Sequence, residues 1–257
     1  MNSQLYTECP KCGYVLLNPL PESAVCPACG IYFFKYTEYK NRQDPPLSVS
    51  RSAAGSFALH DLIEFLLKPL DKIDEPTFYG RCVILTLLSV WGCILFSCDF
   101  RVGEIGSSFM HNILLPIHEA GHVLFTPLGH FMGILGGSLF QLLLPVGIGI
   151  AFMWINKDNF GAAISMWWGG VSLLDLAPYI YDARHPRLIL LGGHTGEDGP
   201  HDWVYLLTTL GRLHKSQQWG TVAHALGGVL MFVALFWALA VLWRQRQVMQ
   251  NHPGIRH

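Results

Sequence analysis

The chain has 257 residues and a net charge of −1 at neutral pH, which gives no reason to expect a nucleic acid as partner. Hydrophobic residues make up 51% of it and charged residues 14%, compared with about 25% charged residues in an average soluble domain. This composition and a mean hydropathy of +0.33 argue against a soluble protein, and the length allows one membrane domain and one small extra module.

The first predicted unit, residues 1–40, is defined by a repeated cysteine motif. The sequence CPKCG at 9–13 returns as CPACG at 26–30. Two C-x-x-C pairs at this distance can place four thiolates around one tetrahedral ion, and four protein ligands leave no position for a substrate. The segment therefore resembles a zinc ribbon with a structural Zn²⁺, whose ligands would be Cys9, Cys12, Cys26 and Cys29.

Two further segments precede the apolar part of the chain. Residues 41–56 are rich in proline and serine and predict a linker. Residues 57–78 carry leucine and isoleucine at helical spacing, which predicts an amphipathic helix at the membrane interface. The N-terminus carries no apolar signal segment, so we expect the ribbon to stay in the cytosol.

Residues 79–243 predict a membrane domain, and a polar, basic tail follows at 244–257. The fold class is thus an all-α polytopic membrane protein of about five transmembrane helices with a small N-terminal zinc ribbon, since each apolar segment approaches the roughly 20 residues that cross a bilayer. Gly133, Gly136 and Gly137 interrupt the pattern, and we expect a re-entrant or extended stretch there. The predicted spans are 79–98, 108–128, 137–155, 160–180 and 220–243.

The second predicted span contains the sequence HEAGH at 118–122. His118 and His122 are one helical turn apart, so their imidazoles project from one face and can bind a single zinc ion. Glu119 lies beside them and can act as general base toward a zinc-bound water, whose pKa the metal lowers toward neutrality. Ionisable residues in an apolar helix are costly and functional by default, which favours a metal-dependent hydrolase over polar groups satisfied within the bundle.

This pattern resembles the site-two protease family of intramembrane zinc metallopeptidases. The resemblance rests on HEAGH in a spanning helix, the glycine-rich stretch 133–138 and a later segment with an aspartate, and it covers about residues 108–183. It implies a membrane protein or peptide as substrate. It also implies an aspartate as third zinc ligand, within an Asn-x-x-Pro…Asp-Gly pattern on a later helix.

The corresponding segment of this chain is DLAPYIYDA at 175–183. Pro178 and Asp182 match the pattern, whereas Asp175 replaces the asparagine, Ala183 replaces the glycine, and the spacing is one residue shorter. A helix break at Pro178 would turn Asp182 toward the zinc. In order of preference, the candidates for the third ligand are Asp182, then Asp202 with its neighbour His201, and then Asp175.

The predicted function is hydrolysis of peptide bonds in membrane-bound or membrane-adjacent substrates, with one catalytic and one structural Zn²⁺. The lipid bilayer and a protein bound by the ribbon are further expected partners, and the bacterial inner membrane is the favoured location. The alternative is a catalytically inactive zinc protein that recruits or regulates a partner. The other histidines, His111 and His130 among them, have no partner at metal spacing, so we expect them to pack or to lie at the interface.

Overall fold

The computed structural model describes residues 5–21, 23–35, 54–70 and 74–251. They divide into two compact units, with the boundary between His60 and Asp61. Most of the predicted linker (41–53) and the end of the predicted tail (252–257) lie outside the described residues, as do parts of the predicted ribbon.

The N-terminal unit contains a two-stranded sheet. Strand β1 (Leu5–Glu8) pairs antiparallel with β2 (Val15–Pro21), and an isolated bridge joins Val25 to Tyr32. The buried core consists of Leu16, Phe33 and two of the cysteines. So small a core supplies little stability of its own, and modules of this size usually depend on a metal or on disulfides.

The remainder of the described chain is mostly helical. Several helices begin at a capping side chain: Asp74 accepts from the backbone N–H of Thr77 (3.2 Å), and Ser108 accepts from that of His111 (3.1 Å). Such caps satisfy N–H groups that have no partner inside the helix. The helices are α1 (Ala54–Leu67), α2 (Glu75–Ser97), α3 (Phe109–Phe125), α4 (His130–Trp154), α5 (Asn159–Asp182), α6 (Asp202–Thr209) and α7 (Ser216–Asn251).

Within the residues that the structure describes, four helices are long and apolar enough to span a membrane, whereas the sequence predicts about five. They are α2, α4, α5 and a helical segment at 213–251 that contains α7. Helix α3, the predicted second span, has 17 residues and includes Pro116. At 1.5 Å per residue it is roughly 26 Å long, which falls short of a hydrocarbon core of about 30 Å.

The glycine-rich stretch is helical, which corrects the expectation of a re-entrant or extended segment. Helix α4 runs from His130 to Trp154 without a break and contains Gly133, Gly136 and Gly137. These glycines form a smooth face against α3: a side chain at Gly136 would lie 2.6 Å from the carbonyl oxygen of Gly121. Small residues at a helix interface let two backbones approach closely, and here they bring α4 against the HEAGH helix.

Two predicted boundaries also move. The expected interfacial helix at 57–78 is helix α1, which ends at Leu67, whereas residues 75–78 already belong to α2. The expected polar tail at 244–257 is still helical as far as Asn251, and on this stretch Gln245 is buried and Arg244 pairs with Glu64 at 2.8 Å. The side chain of Asn159 donates to the carbonyl oxygens of Phe65 and Lys68 at 2.7 and 3.0 Å, which caps the C-terminal end of α1.

Helix α5 is the most buried of the candidate spans and packs along α7. The two backbones meet at a pair of glycines, because a Cβ atom at Gly170 would lie 2.8 Å from the carbonyl oxygen of Gly227 and 2.7 Å from the amide nitrogen of Met231. Helix α5 is thereby fixed between α7 and α4, and its inner face reaches the HEAGH region.

We predict that Gly227→Ala destabilises the helical unit, because the added methyl group has no space against the α5 backbone. Overpacking of this kind typically costs about 1–3 kcal/mol, and it should lower the melting temperature of the purified protein in detergent by several degrees. Gly147→Ala on α4 is the control, because a Cβ atom there meets nothing within 4 Å. Equal melting temperatures for the two variants would contradict this account of the α5–α7 contact.

Candidate metal centres

The four cysteines of the N-terminal unit form a candidate metal site. Their sulfur atoms lie within 4.8 Å of one another, and the Cys9–Cys29 and Cys12–Cys26 pairs are each 3.8 Å apart. Zinc–sulfur bonds of about 2.3 Å in a tetrahedron place two sulfurs about 3.8 Å apart. The observed sulfur separations therefore suit a zinc ion.

Both cysteine motifs fold into the same turn. Gly13 donates its N–H to the carbonyl oxygen of Cys9 at 3.0 Å, and Gly30 donates to that of Cys26 at 2.9 Å. The glycines have φ angles of +71° and +68°, a conformation in which a Cβ atom is disfavoured. Burial raises the pKa of the Cys9 thiol, but hydrogen bonds from the backbone of Cys12 and Lys11 outweigh burial and lower this pKa to about 6. A thiolate, the form that binds a metal, is thus favoured near neutral pH.

The second candidate metal site consists of His118, His122 and Asp202. One carboxylate oxygen, Oδ2 of Asp202, lies 3.1 Å from Nε2 of His118 and 3.2 Å from Nε2 of His122. Ligands bound to zinc at about 2.0–2.1 Å in a tetrahedron are about 3.3 Å apart. These two distances are therefore close to the spacing that a single zinc ion requires, and all three atoms lie within 4.8 Å of one another.

Hydrogen bonds at the far side of each ring determine which nitrogen faces the cluster. Nδ1 of His122 lies 2.8 Å from the carbonyl oxygen of Gly133, and Nδ1 of His118 lies 2.9 Å from Oε1 of Gln141. A carbonyl oxygen can only accept, so Nδ1 of each ring carries a proton and Nε2 faces Asp202. The hydrogen bond with the Asp202 carboxylate raises the pKa of His122 to about 9, so without a metal a proton on Nε2 meets this carboxylate. A bound metal ion would take the place of that proton.

Asp202 is held in this position by the start of helix α6. The imidazole of His201 caps the helix by accepting from the backbone N–H of Val204 at 3.3 Å, and the N–H of Asp202 donates to the hydroxyl oxygen of Tyr179 at 3.0 Å. Burial raises the pKa of the Asp202 carboxyl, but contact with the imidazoles of His118 and His122 outweighs burial and lowers it to about 2. The carboxylate is therefore ionised at neutral pH, as a metal ligand must be.

The structure corrects the preferred third ligand, because Asp182 does not lie with the two histidines. Helix α5 continues through Pro178 to its end at Asp182, so the expected break does not occur. The carboxylate of Asp182 accepts from the backbone N–H groups of Arg187 and Leu188 at 2.9 and 3.2 Å, which organises the start of the following loop.

The other two alternatives lie next to the cluster but outside it. His201 is buried, stacks on the ring of Tyr179 at 4.3 Å, and has Nε2 3.7 Å from Asp182. Asp175 is buried on α5, where it contacts His111 and Gln141 and does not contact the paired histidines. Asp202, the second choice from the sequence, is the carboxylate that the fold brings to His118 and His122.

Gly137 supplies the space for an ion. A Cβ atom at this position would lie 2.5 Å from Nε2 of His118 and 2.6 Å from Nε2 of His122. The sequence marks Gly137 only as a helix breaker, and Gln141 carries no motif, so neither residue is predicted to belong to the site. Glu119, the predicted base, follows His118 on α3 and is exposed.

Comparisons of the chain with protein-family models, with curated proteins and with solved structures give no match. The resemblance to site-two proteases therefore stays a prediction. Function has to be inferred from the geometry of the two candidate centres.

Metal quantitation on the purified full-length protein tests both centres. We expect two zinc ions per chain in the wild type. Cys9→Ser/Cys12→Ser should lose the ion of the N-terminal unit, and His118→Ala/His122→Ala should lose the ion of the helical unit, so each double variant retains one. If the wild type contains only one zinc ion, and one of the two double variants still contains it, the centre that this variant removes does not bind zinc.

The same measurement distinguishes Asp202 from Asp182 as the third zinc ligand. Asp202→Ala removes a ligand and should reduce the zinc content to one per chain. Asp182→Ala removes the hydrogen bonds to the loop and the contact with His201 but no ligand of the cluster, and should retain two. The reverse result would restore Asp182 as the ligand.

We also predict that Gly137→Ala removes zinc from the helical unit, because the methyl group would occupy the space that the ion requires. Zinc content should fall from two to one per chain, while Gly147→Ala on the same helix retains two. The cysteine-bound ion serves as an internal check that the variant chain was metallated. Full zinc occupancy in Gly137→Ala would show that the ion does not lie between this glycine and the histidines.

Proposed function

We propose that this chain is a membrane-embedded zinc metallopeptidase that hydrolyses peptide bonds in membrane-bound or membrane-adjacent substrates. The observation that carries the proposal is the convergence of Nε2 of His118, Nε2 of His122 and a carboxylate oxygen of Asp202, with the exposed Glu119 directly after His118 in the sequence. The cluster offers three protein ligands, one fewer than a closed tetrahedral site. Three ligands with one open position are typical of catalytic zinc, whereas four cysteines are typical of structural zinc.

The residues of this site have distinct roles in the proposed reaction. A zinc ion held by them would supply Lewis acidity toward water and toward the substrate carbonyl. Glu119 accepts the proton of the attacking water and later donates it to the nitrogen of the leaving amine. One water is consumed for each peptide bond broken, and Glu119 returns to its ionised form.

The neighbouring helices support a reaction site that is partly shielded from water. His118 is buried and the side chain of His122 is 24% exposed, so one ring is shielded and the other is partly accessible. Helix α4 contributes a face without side chains at Gly133, Gly136 and Gly137, which keeps the region between α3 and α4 narrow.

We further propose that the four candidate spans cross a cell membrane, with the bacterial inner membrane as the favoured location. An even number of spans returns the end of α7, with Arg244 and Arg246, to the side on which the chain enters the membrane. Basic residues next to spans favour the cytosolic side. The proposed orientation therefore has a cytosolic N-terminal ribbon, which is available to bind a protein partner or to recognise a substrate.

Replacement of Glu119 by glutamine is the sharpest test of the proposal. Purified wild type in lipid nanodiscs is incubated with a mixed-sequence peptide library, and products are identified by mass spectrometry. We expect Glu119→Gln to lower the cleavage rate by at least about 100-fold, because it removes the general base, while both zinc ions remain bound. Glu197→Gln, which changes an exposed glutamate of the loop before α6, should retain the wild-type rate.

The outcomes separate the proposal from its alternative. A zinc-loaded wild type that cleaves no library peptide, or a rate that is the same in Glu119→Gln, would favour a catalytically inactive zinc protein that recruits or regulates a partner.

A further inference from the structure

A chain of three hydrogen bonds leads away from the candidate catalytic metal site. His118 Nδ1 lies 2.9 Å from Gln141 Oε1, Gln141 Nε2 lies 3.0 Å from Asp175 Oδ2, and Asp175 Oδ1 lies 2.8 Å from His111 Nδ1. We call Gln141, Asp175 and His111 the orienting chain. It connects α3 to α4, then to α5, and back to α3 two turns before His118.

Three of these four residues are strongly buried. Relative exposure is 1% for Gln141, 6% for His118 and 8% for Asp175, and only His111 reaches the surface of the unit. Buried polar groups of this kind are costly unless each is satisfied. Here every one of the connecting atoms has a partner, so the chain is a complete network.

The direction of each hydrogen bond follows from the carboxylate. An ionised Asp175 can only accept, so it selects the orientation in which Gln141 turns its NH₂ group toward Asp175. The amide oxygen must then face His118. A carbonyl oxygen can only accept as well, so the proton of His118 resides on Nδ1.

This tautomer is the one that a metal requires. If the Gln141 amide were rotated by half a turn, its oxygen would oppose the Asp175 carboxylate, and its NH₂ group would face His118 Nδ1. The proton of His118 would move to Nε2, the atom that faces Asp202 and His122, and its lone pair would no longer be available. The carboxylate of Asp175 thus selects, through one amide, the tautomer in which Nε2 of His118 is available to a metal.

We propose that Gln141 and Asp175 are positioning residues that hold His118 in the metal-binding tautomer, with His111 orienting Asp175. The inference rests on the proposed zinc site but not on its catalytic activity. An amide does not readily accept and release protons, so the orienting chain transmits hydrogen-bond direction and is not a proton pathway. Loss of such outer partners typically lowers metal affinity by about 10–100-fold.

An isosteric exchange tests this proposal without changing the packing. Asp175→Asn keeps the shape but lets the introduced amide present either its oxygen or its nitrogen to Gln141, so the selection of the tautomer is lost. We expect the zinc affinity of the helical unit to fall by at least about 10-fold. Gln141→Glu/Asp175→Asn should restore it to within about threefold, because a carboxylate at position 141 accepts from His118 and from the introduced amide at position 175.

Zinc affinity is measured on the full-length protein in detergent by competition with a chelator. The two release steps are assigned with His118→Ala/His122→Ala and with Cys9→Ser/Cys12→Ser. Ser165→Ala is the matched control, because Ser165 is also a buried polar residue of α5 but bonds only to the carbonyl oxygen of Gly161. Its zinc affinity should equal that of the wild type, as should the affinity of the cysteine site in every variant of the orienting chain.

Two results would overturn the proposal: wild-type zinc affinity in Asp175→Asn, or a double variant that binds zinc no better than the single one. Should Asp175→Asn fail to fold, the double variant alone decides, since the proposal requires it to be folded and zinc-loaded. If these residues had only a structural role, the variants would have lower melting temperatures, but zinc affinity would not fall in Asp175→Asn and return in the double variant. Failure of the peptidase proposal is distinguishable, because a wild type without activity would still show the predicted zinc affinities.

Discussion

The helical unit is organised around an electrostatic constraint. Nε2 of His118 and Nε2 of His122 both face one oxygen of the Asp202 carboxylate, at 3.1 and 3.2 Å. This negative charge is balanced by a positive charge between the three atoms, which either a proton on an imidazole or a metal ion would supply. The carbonyl of Gly133 and the amide of Gln141 hold both rings with Nε2 toward the carboxylate.

Much of the helix packing serves to bring these three atoms together. The two histidines need only one turn of α3, but α3 is short and must be held against a longer helix. The glycine face of α4 allows this close approach, and the same face leaves space at Gly137 where the imidazole nitrogens meet. Helix α5 then places the hydroxyl of Tyr179 against the backbone N–H of Asp202, so the position of this candidate ligand depends on a helix that contributes no residue to the cluster.

The residues that the sequence predicts well are those whose partners are close in sequence. Each C-x-x-C pair and the HEAGH motif carry their spacing within five residues, and the second pair repeats the first 17 positions later; the structure brings each set together. Asp202, the candidate third ligand, is 84 positions from His118, so only the tertiary fold can select it over Asp182. The sequence favours Asp182 because Pro178 and Asp182 match the pattern of the resembled family, but Pro178 is accommodated within α5 and the helix continues.

The glycine-rich part of α4 explains why the helix boundaries are harder to predict from the sequence than the candidate metal ligands. Gly133, Gly136 and Gly137 have a low intrinsic helix propensity, which favours a break in an isolated segment. In the fold, contact with α3 compensates for that low propensity, and α4 remains continuous. The orienting chain is not predictable from the sequence for a related reason, because Gln141 and His111 belong to no recognisable motif. Only the packing of three helices connects them to His118 by hydrogen bonds.

The position of Asp202 on a short helix after the loop that follows α5 has a mechanical consequence. An ion shared by His118 and Asp202 would close a ring of more than eighty residues, comparable in topology to a long-range disulfide. Such a cross-link restricts the unfolded chain and ties a polar loop segment to the apolar helices. Removal of such an ion by a chelator would break this cross-link while leaving the chain intact. A bound ion would therefore stabilise the fold as well as supply the chemistry of the proposed reaction.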